Sequence, residues 1–355
     1  MTGPHIMILA GGTGGHIFPG LAVAAELRAR HAKVSWLGAE GAMESRLVPA
    51  HDIPLYTLRI ESWRGSGALR MLRAPWQLFR AVLSAARILR QQRPSAVIAF
   101  GGFAAGPGGL AAWLLGTPLL VHEQNRAPGL TNQVLARLAR RILCGFPQSF
   151  RAREEVVGNP VRRDILSLLD PAQRQQGRTR TTLLILGGSQ GAAALNGALP
   201  RALRGIHAGM EIRHQCGGRH TDATQAAYAE AQVKAAVNGF IEDMPSAYAW
   251  ADLVICRAGA STLAEICAAG ICSVLVPLPT AADDHQTRNA AYLCEQGAAV
   301  MVPEGADFEL RMHRVVSELI TNRERRLQMA EAARRLARPL AAEHVAQACL
   351  DEVAA

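Results

Sequence analysis

Short, nearly unbroken apolar runs alternate along the chain with longer segments in which apolar residues return every three or four positions. The first run, Ile6 to Ala10, leads into a glycine-rich turn, Gly11 to Pro19, and then a helix-like stretch, Leu21 to Arg30. Lys33 to Gly38 and Ala96 to Phe100 read as further strands, with a long helical region, Ala68 to Gln92, between them. A second glycine-rich stretch, Gly101 to Gly109, precedes a helix beginning over Leu110 to Leu115, and Pro118 to His122 is again strand-like. Continuous apolar strands separated by helices predict right-handed βαβ units and a parallel sheet covered on both faces.

The texture changes near residue 160. Val156 to Pro160 reads as a short strand ending in Gly158-Asn159-Pro160, and the polar, Gln- and Arg-rich Asp170 to Thr182 predicts a loop or linker. The strand–glycine–helix pattern then restarts with Thr182 to Leu186, the turn Gly187 to Gly191 and a helix over Ala192 to Leu203. Glu211 to His214, Ala236 to Gly239, Leu253 to Cys256 and Ser273 to Val276 are further strands, and the chain is helical from Glu324 with a break at Pro339. The fold expected is α/β, with two Rossmann-like domains facing each other across a cleft. Their bounds are 1–161 and 162–339, with a last helix, about 340–355, crossing back to the first.

Composition narrows the partners. Hydrophobic residues make up 49% of the chain, enough to fill two cores, and the net charge of +9 with a pI near 9.7 points to an anionic partner. Nucleic acid, an acidic membrane face and a phosphorylated substrate all qualify, but no nucleic-acid module is recognisable. The seven cysteines include no Cys-x-x-Cys pair, which predicts reduced, buried thiols instead of a disulfide framework or zinc site. Met1 to His5 lacks the basic residues of a signal peptide. The longest apolar stretch, Gly108 to Val121, falls short of the roughly 18 residues of a membrane span, so a membrane would be met at its surface.

Several stretches carry candidate chemistry. Gly11 to His16 is a phosphate-type turn, since glycines admit an anion to bare helix amides. It departs from a dinucleotide fingerprint because position 17 is Ile17, although Glu40 could imitate a ribose-binding acid. His16 brings an imidazole whose ordinary pKa near 6.5 suits proton transfer. Gly101, Gly102, Gly106 and Gly108 form a second candidate cradle, with close helix–strand packing as the plainer alternative. His122-Glu123-Gln124-Asn125 follows a strand end, where ligands collect in parallel sheets. In the second half, the Gly187 to Gly191 turn holds Ser189, and a helix should begin near Ser261 in Gly259 to Glu265. Glu265 lies one turn in, on the face of Ser261, and a carboxylate can accept from both hydroxyls of a ribose. Gln286 and Asn289 share a helical face and could meet sugar hydroxyls. Trp63 to Arg93 sets Trp63, Trp76 and Phe79 among Arg70, Arg73 and Arg80, an interfacial pattern for anionic lipid; an ordinary amphipathic helix is the alternative.

Taken together and in order, GGTGGHIFPG, GGFAAGPGG, HEQN, GNPVR, GGSQGA, GASTLAE and DDHQTRNA resemble the MurG family over nearly the whole chain. The resemblance implies the GT-B fold and transfer of N-acetylglucosamine from UDP-N-acetylglucosamine to undecaprenyl-diphosphate–MurNAc-pentapeptide, lipid I to lipid II, in peptidoglycan synthesis. It implies an inverting displacement with no metal or other cofactor. His16 matches the family's candidate base. Thr13, Gly14, Gly15, Asn125, Arg162, Ser189, Ile241 and Gln286 match donor-binding positions, as do Ala260, Ser261, Thr262, Leu263, Ala264 and Glu265. In this scheme Ile241 meets the uracil by its backbone, Ser189 the diphosphate and Glu265 the ribose. Gly101, Gly102, Gly106 and Gly108 would serve the acceptor diphosphate. Arg70, Arg73, Trp76, Phe79 and Arg80, extended by Trp113 and Arg137 or Arg140, would dock on the cytoplasmic face of the bacterial inner membrane. Cell-wall synthesis proteins are further partners that the family implies, and nucleic acid is not.

The nearest rival reading is a UDP-N-acetylglucosamine 2-epimerase, which needs neither the arginine–aromatic surface nor an acceptor site. A nucleotide-regulated binding protein would need the basic surface but not His16 or Gln286. A nicotinamide-dependent dehydrogenase is more distant still.

Overall fold

A computed structural model describes residues 3–59, 68–150, 153–188 and 190–354, with residues 68–74 and 282 as backbone only. The chain forms two compact units, Met1–Val161 with Arg338–Ala355, and Arg162–Ala337. Each is a Rossmann-like α/β fold around one parallel sheet.

The first sheet holds β1 (His5–Ala10), β2 (Lys33–Ala39), β3 (Leu55–Leu58), β4 (Ala96–Gly101), β5 (Leu119–Glu123), β6 (Arg141–Cys144) and β7 (Glu154–Val156) in the order β3-β2-β1-β4-β5-β6-β7. All neighbours run parallel. Strand alternation splits the core into two layers. Ile6, Ile8, Trp36 and Phe100 face one side, with Val345, Ala346 and Cys349 of the helix Ala341–Ala354 packed against them. Met7, Leu9 and Val97 face the other, under Val82, Ala85 and Leu89 of the helix Ala68–Gln92.

The second sheet holds β8 (Thr181–Leu186), β9 (Met210–Gln215), β10 (Ala236–Asn238), β11 (Leu253–Cys256), β12 (Cys272–Leu275) and β13 (Ala299–Met301) in the order β10-β9-β8-β11-β12-β13. In both sheets the strand order reverses once, between β1 and β4 and between β8 and β11. Chain crossovers leave to opposite sides at such a point, opening a crevice at the carboxyl ends of the strands. All the glycine turns read from the sequence sit at these reversals: after β1 and β4 in one unit, after β8 and β11 in the other.

Four expectations change. The first helix spans Gly14–Ala29, so Gly14, Gly15 and His16 lie in its first turn. Pro19, the sixth of its 16 residues, removes one backbone bond in the second turn. The next helix spans Ala105–Leu114, not Leu110 onwards. Gly108 is therefore helical and buried, and its N–H donates to the Ala104 carbonyl at 3.1 Å. A Cβ there would stand 3.0 Å from the Leu9 and Leu37 side chains, so Gly108 serves helix–sheet contact and is not part of an open diphosphate cradle. Third, 170–182 is not a linker but part of the second unit. Arg174 donates to the carbonyls of Tyr248 (3.0 Å) and Gly270 (2.6 Å), and Arg178 to the carbonyls of Ala249 (2.9 Å) and Trp250 (2.6 Å) and to the Asp252 carboxylate (2.8 Å). Arginine forks satisfying loop carbonyls explain its polar composition. The strand read at Val156 to Pro160 is displaced to Glu154–Val156.

The cysteines are free, and all but Cys294 are buried. Among the described residues, no helix is long and apolar enough to cross a membrane.

Candidate active site

In the first unit the two glycine turns meet. Strand register shifts between Leu9 and Ala10, setting Ala10 opposite Gly101. The Gly11 N–H then donates to the Gly101 carbonyl at 3.3 Å. Gly102 has φ +90°, and a Cβ there would lie 2.2 Å from the Gly11 oxygen, so only glycine fits. Thr13 caps the first helix in an extended conformation, its carbonyl accepting from the N–H groups of His16 and Ile17. Gly14 and Gly15 lie in the first turn of that helix.

His16 is half-buried between these turns. Its Nδ1 lies 3.1 Å from the Gly11 carbonyl oxygen and 3.4 Å from Thr13 Oγ1. A carbonyl only accepts, so Nδ1 carries the hydrogen and, in the neutral ring, Nε2 carries the lone pair. A Cβ on Gly101 would stand 3.1 Å from Nε2, so a side chain at this position would crowd the ring. Gly106 sits in the first turn of the next helix, where its N–H has no intrahelical acceptor.

Asn125 ends the His122–Asn125 stretch, whose first three residues are buried. The Glu123 carboxylate gathers the Asn125 N–H (2.9 Å), Asn125 Nδ2 (3.1 Å), Gly129 N–H (3.1 Å) and Asn132 Nδ2 (2.9 Å). That fixes Asn125 at the loop's edge while Glu123 itself is spent on structure.

In the second unit, the helix Ala260–Ala269 begins directly after the β11 turn with Gly259 as extended N-cap. Ala260, Ser261 and Thr262 supply its first-turn N–H groups, a ready anion site. Leu263 is fully buried and its N–H donates to Gly259, so its side chain seats the helix, while Ala264 is half-buried beside it. Glu265 follows on the inner face. One carboxylate oxygen accepts from Tyr248 Oη at 2.9 Å and the other from Arg162 Nη2 at 3.3 Å. Burial pushes the Glu265 carboxyl above the ordinary range, with Arg162 and Tyr248 opposing it. Burial also pushes the Tyr248 hydroxyl well up, so it stays a donor.

The Gly187–Gly191 turn is organised by Gln215. Its Oε1 accepts from the Gly188 N–H, and its Nε2 donates to the carbonyls of Gly188 and Gly239, all at 3.0 Å. Ser189 lies outside the described residues. Ile241, half-buried beside the 67%-exposed Phe240, follows β10 on the loop that Gln215 ties to this turn. Gln286 lies in the first turn of the helix His285–Glu295 and accepts the Leu278 N–H at 2.9 Å. Asn289 is fully buried and donates to the Ala258 carbonyl, which corrects the reading that it meets a sugar.

Glu40 pairs with Arg59 at 2.9 Å in the open. Trp76 (62% exposed) and Phe79 (51%) stack at 5.6 Å on the helix Ala68–Gln92, with Arg80 exposed beside them. The side chains of Arg70 and Arg73 lie outside the described residues, as does Trp63. Trp113, on the neighbouring helix Ala105–Leu114, is 48% exposed.

Sequence reasoning missed Glu44, Tyr248 and Gln215. The first two sit in short polar–apolar stretches without periodic signal, and Gln215 ends an ordinary strand. Each gains meaning only from a partner that the fold brings to it: Gly12 for Glu44, Glu265 for Tyr248 and Gly188 for Gln215.

The chain matches the glycosyltransferase family 28 N-terminal domain over residues 6–144 and the corresponding C-terminal domain over residues 182–345. It is 60% identical, over 98% of its length and 79% of the relative's, to a UDP-N-acetylglucosamine–N-acetylmuramyl-(pentapeptide) pyrophosphoryl-undecaprenol N-acetylglucosamine transferase of Xanthomonas oryzae pv. oryzae. The crystal structure of Acinetobacter baumannii MurG superposes with a TM-score of 0.86 at 43% identity, covering 98% of this chain and 99% of that one. A UDP-N-acetylglucosamine 2-epimerase structure, covering 97% of this chain and 94% of its own with a TM-score of 0.66 at 13% identity, shares the fold alone. The glycine turns, the helix-start anion site and this full-length kinship together make the chain a member of the MurG family of GT-B glycosyltransferases.

Proposed function

We propose that the chain transfers N-acetylglucosamine from UDP-N-acetylglucosamine to the 4-hydroxyl of undecaprenyl-diphosphate–MurNAc-pentapeptide, with inversion at the anomeric carbon. Kinship over the full length supports the substrates, and it favours a transferase over the epimerase that shares only the fold. The observation that carries the chemistry is His16, held as the Nδ1–H tautomer with Nε2 as the basic atom. Nε2 takes the hydroxyl proton as the acceptor oxygen attacks. The new C–O bond forms, the bond to UDP breaks, and the electron pair leaves with the diphosphate.

On the donor side, the first turn of the helix Ala260–Ala269 receives the diphosphate, where the helix dipole stabilises the leaving charge. Glu265 accepts from the ribose hydroxyls and Arg162 holds that carboxylate. The Ile241 backbone meets the uracil, Gln286 and Asn125 meet the sugar, and the Gly187–Gly191 turn with Ser189 adds diphosphate contacts. Thr13, Gly14 and Gly15 border the transferred sugar. On the acceptor side, Gly101, Gly102 and the first-turn amide of Gly106 take the lipid-linked diphosphate.

The Trp76–Phe79 stack with Arg80, extended by Trp113, docks the first unit on the anionic cytoplasmic face of the inner membrane, where such an acceptor is anchored. Supplying UDP-N-acetylglucosamine and a lipid I analogue should yield the disaccharide product. Hydrolysis or epimerisation of the donor without transfer would overturn the reading.

A further inference from the structure

The most expensive group near His16 is not on its own turn. Glu44 opens the short helix Glu44–Leu47 and is fully buried. Oε2 accepts from the Gly12 N–H at 3.0 Å and Oε1 from the Ala39 N–H at 2.8 Å. The chain makes room for it on two sides: a Cβ on Gly11 would lie 2.1 Å from Oε1, and one on Gly38 would lie 2.6 Å from the Glu44 Cγ. Burying a carboxylate costs several kcal/mol before its contacts are counted, on the order of the penalties known for buried ions. A hydroxyl or amide side chain could bridge a loop at less cost.

The Gly12 N–H and the Gly11 carbonyl belong to one peptide group. That group therefore takes Glu44 at its nitrogen and His16 Nδ1 at its oxygen. We propose that Glu44 is a positioning residue for the acid–base step, acting on His16 through the Gly11–Gly12 peptide. The carboxylate locks the peptide plane and polarises it, making the Gly11 oxygen a better acceptor, as hydrogen-bonded chains do cooperatively. The Gly11 oxygen in turn holds the Nδ1 hydrogen and so puts the ring's lone pair on Nε2, the nitrogen beside Gly101. The arrangement is a carboxylate–histidine pair with a peptide inserted between the partners, and Gly12 at φ +85° turns the chain directly after that peptide. The inference rests on the reading of His16 as the base.

The test uses the intact protein with ¹⁵N-labelled histidine. The His16 ring signal is assigned by its disappearance in His16→Ala. In the wild type His16 should be the Nδ1–H tautomer, the less favoured form in free histidine; an Nε2–H tautomer overturns the proposal whatever the variants do. In Glu44→Gln, which leaves one of the two N–H groups facing an amide NH₂, the Nδ1–H population should fall. Turnover should drop by about 10–100-fold with the KM for UDP-N-acetylglucosamine little changed, as for a displaced reacting group. Glu44→Asp, keeping the charge on a shorter arm, should recover part of the turnover and of the tautomer. Unchanged tautomer and turnover in a folded Glu44→Gln also overturn the proposal. Should Glu44→Gln not fold, the wild-type tautomer and Glu44→Asp decide. Near-normal turnover in His16→Ala sinks the base reading separately, while the tautomer still reports on whether Glu44 orders the ring.

Discussion

Glu265 shows what burial does to a single binding group. Its carboxyl is raised by desolvation, so it takes up a proton at a higher pH than an ordinary glutamate. Protonation removes acceptor capacity that the ribose hydroxyls need. Affinity for UDP should therefore weaken on acidification, beginning above the usual glutamate range, and calorimetric titration against pH would show it. Glu265→Gln should bind UDP about tenfold more weakly, the loss of roughly one charged hydrogen bond, and should flatten that pH dependence. Unchanged affinity would remove Glu265 from the ribose. His16→Ala should lower turnover by about 10²–10⁴-fold, the range for a general base, in a steady-state assay. Both residues were legible because each stands in a stretch whose local pattern already marks a loop or helix start. Tyr248 was not, since it reads as an ordinary apolar position until the fold brings it to Glu265.

At the scale of elements, the helix Ala68–Gln92 has two faces with different work. Val82, Ala85 and Leu89 are buried under the sheet, while Trp76 and Phe79 are stacked and exposed. An exposed apolar pair beside a basic residue has the character of a surface that meets a partner or a membrane. Replacing Trp76 and Phe79 with Ala and Arg80 with Glu should reduce binding to anionic vesicles by at least about tenfold, from lost apolar area and a reversed charge. Activity on a water-soluble acceptor should persist. Vesicle sedimentation equal to wild type would remove the helix from the membrane role. The same scale explains the turn after β4. Gly102→Ala forces a Cβ against the Gly11 oxygen at a positive φ, so it should cost on the order of 1–3 kcal/mol in a denaturant melt. The periodicity of the helix and its basic, aromatic composition were visible in the sequence. Where the helices after Gly11 and Gly101 begin was not, because glycine-rich turns and glycine-rich first helical turns look alike until a sheet selects between them.

For the whole molecule, stability depends on groups that must stay neutral. His122 in the first unit and His214 in the second are both pushed down by burial to about 4. His122 is tied to the Gly158 carbonyl and to Gln124, and His214 to Tyr228 and Asn196. Unfolded histidine takes up its proton near pH 6.5, while these take theirs only near 4. The unfolded state therefore binds more protons across that window, and stability falls as pH drops from about 6.5 to about 4, by about 3 kcal/mol for each histidine. Acid melts of His122→Gln or His214→Gln should show a shallower decline; an unchanged slope would argue against the assignment. The C-terminal helix is likewise part of the first unit's core. Val345→Asp should lower the melting stability of that unit by at least about 3 kcal/mol, the cost of a buried unpaired charge in place of an apolar side chain.

The sequence by itself determined most of the strands, the glycine turns that follow them and the repetition of that unit, but not the short strands β3, β6 and β13 or the bounds of β7. Apolar runs, positive-φ tolerance and helix-start chemistry are properties of neighbouring residues. It also marked His16, Glu265 and Gln286 by residue type and position. Only the tertiary structure decided which turns share a strand-order reversal, that 170–182 is clamped to its own unit, and that Gly108 and Asn289 are packing residues. It alone placed the Glu44 carboxylate on the Gly11–Gly12 peptide, 32 positions along the chain from Gly12. Those outcomes depend on strand order and on hydrogen bonds between distant segments, and such pairings leave no periodic trace in either segment.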